Sequence, residues 1–271
     1  MKVFISADME GVAGVVHQEH THRDGREHDR ARTLMTEEVN AAVEGALEAG
    51  ATEILINDSH GTMRNLIPEL VHNEADYIIG SPKMLAMMQG IDSSYDAAIL
   101  LGHHARMGQD GILNHSFSGK VVQNIKVNGV DYGEIGINAA IAGVFGVPAV
   151  LVTGCQHAAS EVEQLIPSVE TAIVKQTVNR YTSRNLTPVK SQALIKQKMI
   201  DALNKKDEIT PFVIEGPYVV EISYLHAGFA DAAEVLPIVE KVDGVTHRFE
   251  SNDFITAFRY IRSLITLASP V

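Results

Sequence analysis

The chain contains no Trp and a single cysteine, Cys155, in 271 residues. One thiol excludes an intrachain disulfide and a thiolate metal cage. Aromatic residues make up only 6% of the chain, so the core has to be built mostly from Ala, Val, Ile and Leu. No apolar run approaches the ~18 residues needed to span a membrane. The N-terminus reads as a strand and lacks the ~7–15 residue apolar region of a secretory leader. No Lys/Arg block stands out, and 22 basic residues face 34 acidic ones, a formal charge of −12. That sign excludes the electrostatic footprint of a nucleic-acid or anionic-membrane partner and suits a site that gathers cations. The expected compartment is cytoplasmic. What remains is ordinary globular composition, 45% hydrophobic and 21% charged, with twelve histidines whose placement matters more than their number.

The organising stretch is the first one, Lys2-Val3-Phe4-Ile5-Ser6-Ala7-Asp8-Met9-Glu10-Gly11. Val3 to Ile5 read as a buried strand of a parallel sheet. Asp8 and Glu10 follow at i and i+2, which on extended chain places both carboxylates on one side, and Gly11 and Gly14 let the chain turn away. A polar stretch holding His17, His20, His22 and His28 comes next and reads as a solvated surface loop. Leu34, Val39, Ala42, Val43, Ala46 and Leu47 make the apolar stripe of a helix over 29–49, with Gly50 as its C′ residue. A second strand, 53–57, runs into Asn57-Asp58-Ser59-His60. The resulting β-α-β unit makes the two strands parallel, with neighbouring carboxyl ends.

Further along, the pattern predicts a short helix over 63–71, a strand at 75–80 and a helix with a Met-rich face over 83–89. A strand at 95–101 leads into Gly102-His103-His104-Ala105-Arg106, and a hairpin turns at Asn128-Gly129. A Gly/Ala helix over 135–145 begins beside Glu134, and a buried strand follows at 148–152. The remainder shows a helix at 158–165, a strand at 172–178 and a helix over 188–203 with Thr187 and Pro188 at its start. Strands at 212–214 and 219–225 flank Gly216-Pro217; a helix at 227–235, a strand at 245–249 and a helix over 254–267 capped by Asn252 complete the chain. The expectation is an α/β fold: a mainly parallel sheet flanked by helices, with a smaller C-terminal α/β domain. Residues 1–160 form the metal-binding catalytic part, and 161–271 the smaller domain that supplies oligomer contacts.

Three strands of the first half end in metal-type side chains: Asp8 with Glu10, then His60, then His104. Each alone is ordinary loop chemistry; their joint placement at one edge of a parallel sheet is not. Glu134 adds a further carboxylate. Imidazole plus carboxylate without thiolate is the ligand set of catalytic zinc, or of manganese or iron. Four or five such ligands exceed the needs of one tetrahedral ion with an open position, which favours two metals bridged by a carboxylate. Such a site activates water for hydrolysis. Arg106 is the obvious nearby cation, a candidate to bind substrate and offset oxyanion charge. The same ligands would serve a two-metal phosphoesterase or a non-catalytic metal-dependent binding protein. A phosphate site, however, wants more Lys/Arg or a cradle of backbone N–H groups.

The strings Ser6-Ala7-Asp8-Met9-Glu10-Gly11, Met35-Thr36-Glu37-Glu38, Asn57-Asp58-Ser59-His60, Gly102-His103-His104-Ala105-Arg106, Asn114-His115-Ser116 and Gly133-Glu134-Ile135-Gly136-Ile137-Asn138 resemble the zinc-dependent D-aminopeptidases of the DppA type. The likeness continues through Glu163-Gln164-Leu165-Ile166-Pro167 and Val174-Lys175-Gln176-Thr177 and spans essentially the whole chain. It implies a dinuclear zinc aminopeptidase that removes an N-terminal D-residue from short peptides, with two zinc ions per subunit or another divalent metal such as manganese. It assigns Asp8 to both metals, Glu10 to one, and His60, His104 and Glu134 to the other. His115 stands at the catalytic centre, where an acid/base role suits it beside a metal-activated water. The resemblance also implies a self-compartmentalising homo-oligomer, a decameric ring. One departure shows: after the 148–152 strand, Gly154-Cys155-Gln156 stands where the family pattern has acids, which bears on how the substrate's amine is held.

Overall fold

The structure, a computed structural model, describes residues 1–270. In chain order the elements are β1 (Lys2–Ala7), α1 (Gln18–Thr21), α2 (His28–Glu48), β2 (Glu53–Asp58), β3 (Asp76–Ile78), β4 (Ala97–His103), β5 (Val122–Val127), β6 (Val130–Asp131), α3 (Glu134–Val144), β7 (Ala149–Cys155), α4 (Gln156–Leu165), β8 (Glu170–Asn179), β9 (Thr182–Asn185), α5 (Pro188–Asn204), β10 (Tyr218–Tyr224), α6 (Ala227–Ala233), β11 (Glu240–Lys241), β12 (Thr246–Ser251) and α7 (Phe254–Ala268).

The larger sheet runs β3-β2-β1-β4-β7-β8-β9 and is parallel apart from β9, which returns antiparallel to β8. Strands β4 and β7 are buried along their whole length, which is why they read as continuous apolar runs and not as alternating ones. The smaller sheet, β11-β12-β10-β5-β6, is antiparallel. The expected α/β architecture with a mainly parallel sheet is present. Among the described residues no helix is long and apolar enough to cross a membrane.

The chain passes from β1 outward to β2 and β3, then comes back to the other side of β1 as β4. Such a reversal opens a crevice beyond the carboxyl ends of the two central strands, where ligands collect in open α/β sheets. Here those ends are drawn tightly together. Asp8 N–H donates to Leu101 O at 2.8 Å and Gly11 N–H to Gly102 O at 2.7 Å. A Cβ on Gly11 would run into the His103 carbonyl, and one on Gly102, whose φ is +70°, into the Asp8 carbonyl. Only glycine fits this crossing.

The division at residue 160 does not follow the sheets. β8 and β9, which lie after it, extend the larger sheet, while β5 and β6, which lie before it, belong to the smaller one. Helix α3 touches β4, β7 and α7, and one continuous hydrophobic core results. Several local expectations are corrected. Residues 63–71 form no helix; the Asp58 carboxylate gathers Asn65 N–H, Leu66 N–H and the Asn65 amide, holding the segment as a loop. Over 83–89 there is a single 3₁₀ turn, Ala86–Met88, with Met87 and Met88 buried and Met84 exposed, so no continuous Met face exists. Residues 212–214 are not a strand, and the polar strand β9 was not anticipated. Asp253, not Asn252, caps α7, its carboxylate accepting from Thr256 N–H at 2.7 Å. In the 17–28 stretch His17 and His22 are exposed as expected, but His20 and His28 are buried. His20 Nε2 lies 2.6 Å from Glu27 and His28 Nδ1 donates to His20 O, so these two rings fold the loop on itself.

Candidate metal centre

Asp8 and Glu10 leave β1 buried and face the crevice. His60 arrives two residues after β2, His104 directly after β4, and Glu134 as the first residue of α3. His115 comes from the loop between β4 and β5. The six side chains that the sequence singled out as ligands or catalyst converge. His60 Nδ1 lies 3.2 Å from Asp8 Oδ1 and 2.9 Å from Glu10 Oε2. His104 Nε2 lies 3.6 Å from the other Asp8 oxygen and 3.5 Å from Glu134 Oε1. His115 Nε2 is 3.6 Å from Glu134 Oε1, and its ring stacks on His104 with centroids 4.1 Å apart. His60 therefore sits on the Glu10 side of Asp8, whereas the resemblance groups it with His104 and Glu134. His103 points away, with Nδ1 on Leu101 O, and lies beneath the site against Asn138.

The imidazoles share one arrangement. His60 Nε2 faces Thr21 O at 2.8 Å, His104 Nδ1 faces Ala105 O at 3.0 Å, and His115 Nδ1 faces Leu113 O at 3.0 Å. A carbonyl only accepts, so each of these nitrogens carries the proton. The opposite nitrogen of each ring then turns towards the carboxylates. A ring nitrogen that faces buried carboxylates needs a positive partner, either its own second proton or a metal ion in that proton's place, and backbone-anchored imidazoles of this kind are the usual metal ligands. Asp8 Oδ2 and His104 Nε2 are both buried without a hydrogen-bond partner. The donor set therefore fits a metal. Two overlapping groups, Asp8-Glu10-His104 and His104-His115-Glu134, bring their ligand atoms within 4.8 Å of one another.

The electrostatics express the same demand. Burial opposes a charge on His104, yet Glu134 and its neighbours hold its pKa up at about 10. Burial and the adjacent Glu10 push the Asp8 carboxyl upward. His115 is pushed down by burial and by His104, which keeps it neutral.

Residues that the sequence did not single out brace the site. The Asn65 amide donates to His60 O at 2.7 Å while Asp58 holds Asn65. Behind the Gly11–Gly14 turn, Glu38 accepts from Ala13 N–H at 3.1 Å and Asn185 from Gly14 N–H at 3.0 Å, and Lys175 enters from β8. The one visible signal was a lysine directly after the apolar run Ala172-Ile173-Val174 of this strand.

A cavity of about 310 Å³ opens over the carboxylates, and the loops over 17–28 and 107–119 reach it, through His22 on one side and Leu113 and Phe117 on the other. Arg106 does not line it. The chain turns after His104, so Arg106 passes behind Gly133, its N–H donating to Glu161 and its guanidinium 3.6 Å from Asp131. It faces a separate cavity of about 200 Å³. The arginines on the main cavity are Arg180 and Arg262. Cys155 is buried at the N-terminus of α4, and the Gln156 amide is paired with the Thr177 backbone. Neither lines the main cavity.

A family model described as D-aminopeptidase (peptidase M55) matches residues 1–263. The chain belongs to the D-aminopeptidase family. A D-aminopeptidase of Bacillus subtilis (strain 168) is 37% identical over 269 residues, covering 99% of this chain and 98% of that protein. A solved structure, the Zn-dependent D-aminopeptidase DppA from Bacillus subtilis, a self-compartmentalizing protease, superposes with a TM-score of 0.98 at 37% identity over 100% of this chain and 99% of that one. Membership of this family makes the chain an aminopeptidase, and the phosphoesterase and binding-protein alternatives fall away.

Proposed function

We propose that this protein is a dinuclear zinc aminopeptidase that removes the N-terminal D-residue from short peptides inside a closed homo-oligomer. The observation that carries this reading is the set of imidazoles pinned by backbone carbonyls and turned onto buried carboxylates. Asp8 offers one oxygen to the side of His60 and Glu10 and the other to the side of His104 and Glu134, the arrangement a bridging ligand needs. Asp8, Glu10, His60, His104 and Glu134 would hold the ions. A bound divalent ion supplies Lewis-acid polarisation of the scissile carbonyl and lowers the pKa of water to about 7.

The chain's own residues do the rest. His115 keeps its Nδ1 proton on Leu113 O, which leaves Nε2 open towards the cavity, 3.6 Å from Glu134. With its basicity lowered by burial, it accepts a proton as the nucleophile forms and returns it to the leaving amine. Phe117 N–H donates to Glu134 Oε1 at 2.6 Å and fixes that carboxylate. The 17–25 and 113–120 loops narrow the mouth of the cavity. The self-compartmentalizing relative supports an enclosed homo-oligomer; in this reading it is a cytoplasmic decameric ring, and the chain beyond residue 160 supplies contacts. The test is turnover of matched D- and L-aminoacyl dipeptides by protein of measured metal content. Faster cleavage of the D-series, dependent on about two zinc ions per chain, is expected. Preference for the L-series, or equal turnover by metal-free protein, contradicts the reading.

A further inference from the structure

Arg262 projects from α7 to the wall of the main cavity. Its guanidinium lies 5.9 Å from the centre of the Phe117 ring, one residue's reach from the Glu134 carboxylate that Phe117 holds. Glu134 is the acid whose field it feels, yet the two form no ion pair. Among the described residues the Arg262 side chain donates no hydrogen bond at all. The cavity's other cations differ. Arg180 is already committed to the backbone and side-chain oxygens of Asn114, and Lys120 is exposed. A half-buried guanidinium that rests on an aromatic face with its N–H donors unspent is built for a planar acceptor, and the best match is a carboxylate taken in bidentate fashion.

We infer that Arg262 binds the C-terminal carboxylate of the substrate, so that the enzyme selects very short peptides with a free C-terminus. The inference rests on the aminopeptidase reading, which puts the substrate's amine and scissile carbonyl at the Asp8–Glu10–His104 edge. In a dipeptide the terminal carboxylate lies three bonds beyond the scissile carbonyl carbon, and Arg262 stands on the wall that such a group meets. This cavity of about 310 Å³ adjoins a second of about 470 Å³ that shares Thr21, His22, Gly61 and Lys120 with it, so the restriction to short peptides comes from the carboxylate contact and not from the volume of the pocket. Arg262 thus acts as a specificity-determining residue that also aligns the peptide bond over the metal edge.

The experiment compares D-alanyl-glycine with D-alanyl-glycinamide, which differ only in the terminal charge. With native protein, kcat/KM for the acid should exceed that for the amide by roughly 10–100-fold, the worth of hydrogen bonds to a charged group. Arg262→Met should bring the ratio towards one, chiefly through KM of the acid, and Arg262→Lys should fall between. A native ratio near one overturns the inference, as does an Arg262→Met protein that loses both activities equally and keeps the ratio. Calorimetric titration of the zinc-loaded His115→Ala protein with both compounds makes the same comparison without turnover. If neither compound is cleaved by native protein but the acid binds better in a manner that Arg262→Met removes, the aminopeptidase reading fails and the carboxylate site stands.

Discussion

Lys175 Nζ donates to the carbonyl oxygen of Glu10 at 2.5 Å and to that of Val15 at 2.7 Å, reaching back 165 and 160 residues along the chain. The side chain is fully buried, so the ammonium has no water to fall back on. It ties both ends of the turn that carries Glu10. Replacing it with Met leaves two buried carbonyls without a donor. We expect Lys175→Met to fold but to bind zinc about 10–100-fold more weakly, as for other residues that support metal ligands. Competition with a chromogenic chelator measures this, and unchanged zinc affinity would show that the turn holds itself.

Glu38 braces the same turn from α2 through Ala13 N–H. Burial raises its pKa from 4.5 to about 7. Between those values the folded chain keeps a proton that the unfolded chain has released, so Glu38's contribution to stability falls as pH rises through the window and is level above it. Glu38→Gln removes the ionisation and keeps an acceptor. Its thermal stability should exceed that of the native chain by about 2–4 kcal/mol at pH 8, at about 1.4 kcal/mol per pKa unit, and by little at pH 4.5. A gain of equal size at both pH values would contradict the buried, protonated state.

His115→Ala should keep its zinc and lose roughly 10²–10⁴-fold in kcat, the range for a general acid–base group. Metal analysis beside kinetics separates the two roles that the geometry allows. If zinc departs with the imidazole, His115 is a ligand with His104 and Glu134.

Asp8 presents an oxygen to each half of the centre. Asp8→Ala should therefore lose both ions, whereas Glu10→Ala should retain part of the metal. Zinc added to stripped native protein should raise its melting temperature by mass action, and the Asp8→Ala protein should show no such rise.

Enclosure can be read from mass. Light scattering at micromolar concentration should give several times the 29.4 kDa of the chain. A monomer that cleaves folded proteins as readily as dipeptides would rule out a compartment and leave the chemistry of the centre untouched.

The proposed ligand set was legible because parallel strands end where ligands collect. Asp8, Glu10, His60 and His104 each follow a short buried run, and the β-α-β connection between β1 and β2 aligns the first two of those ends. Three features hid from this logic. Arg106 looked close because it follows His104 in sequence, but one turn of backbone carries it behind Gly133, while Arg262 comes from the far end of the chain. The 63–71 loop has helix-like spacing, yet the Asp58 carboxylate offers its backbone N–H groups a better partner than a helix does. The two-domain boundary looked natural because ligand-type residues stop near 134, but chemistry and sheet membership are separate properties of a chain, and β8 completes the sheet that Asp8 and Glu10 stand on.

That interleaving has a consequence for biosynthesis. Every proposed metal ligand has been added to the chain once residue 134 is made, yet the turn that holds Glu10 waits for Lys175, and the cavity wall waits for Arg262. Domains on a nascent chain fold as units, N-terminal ones first. This protein cannot use that order to finish its active centre early. The working parts meet only when β8 and α7 have docked on the first half of the chain, so assembly of the centre is tied to completion of the whole fold.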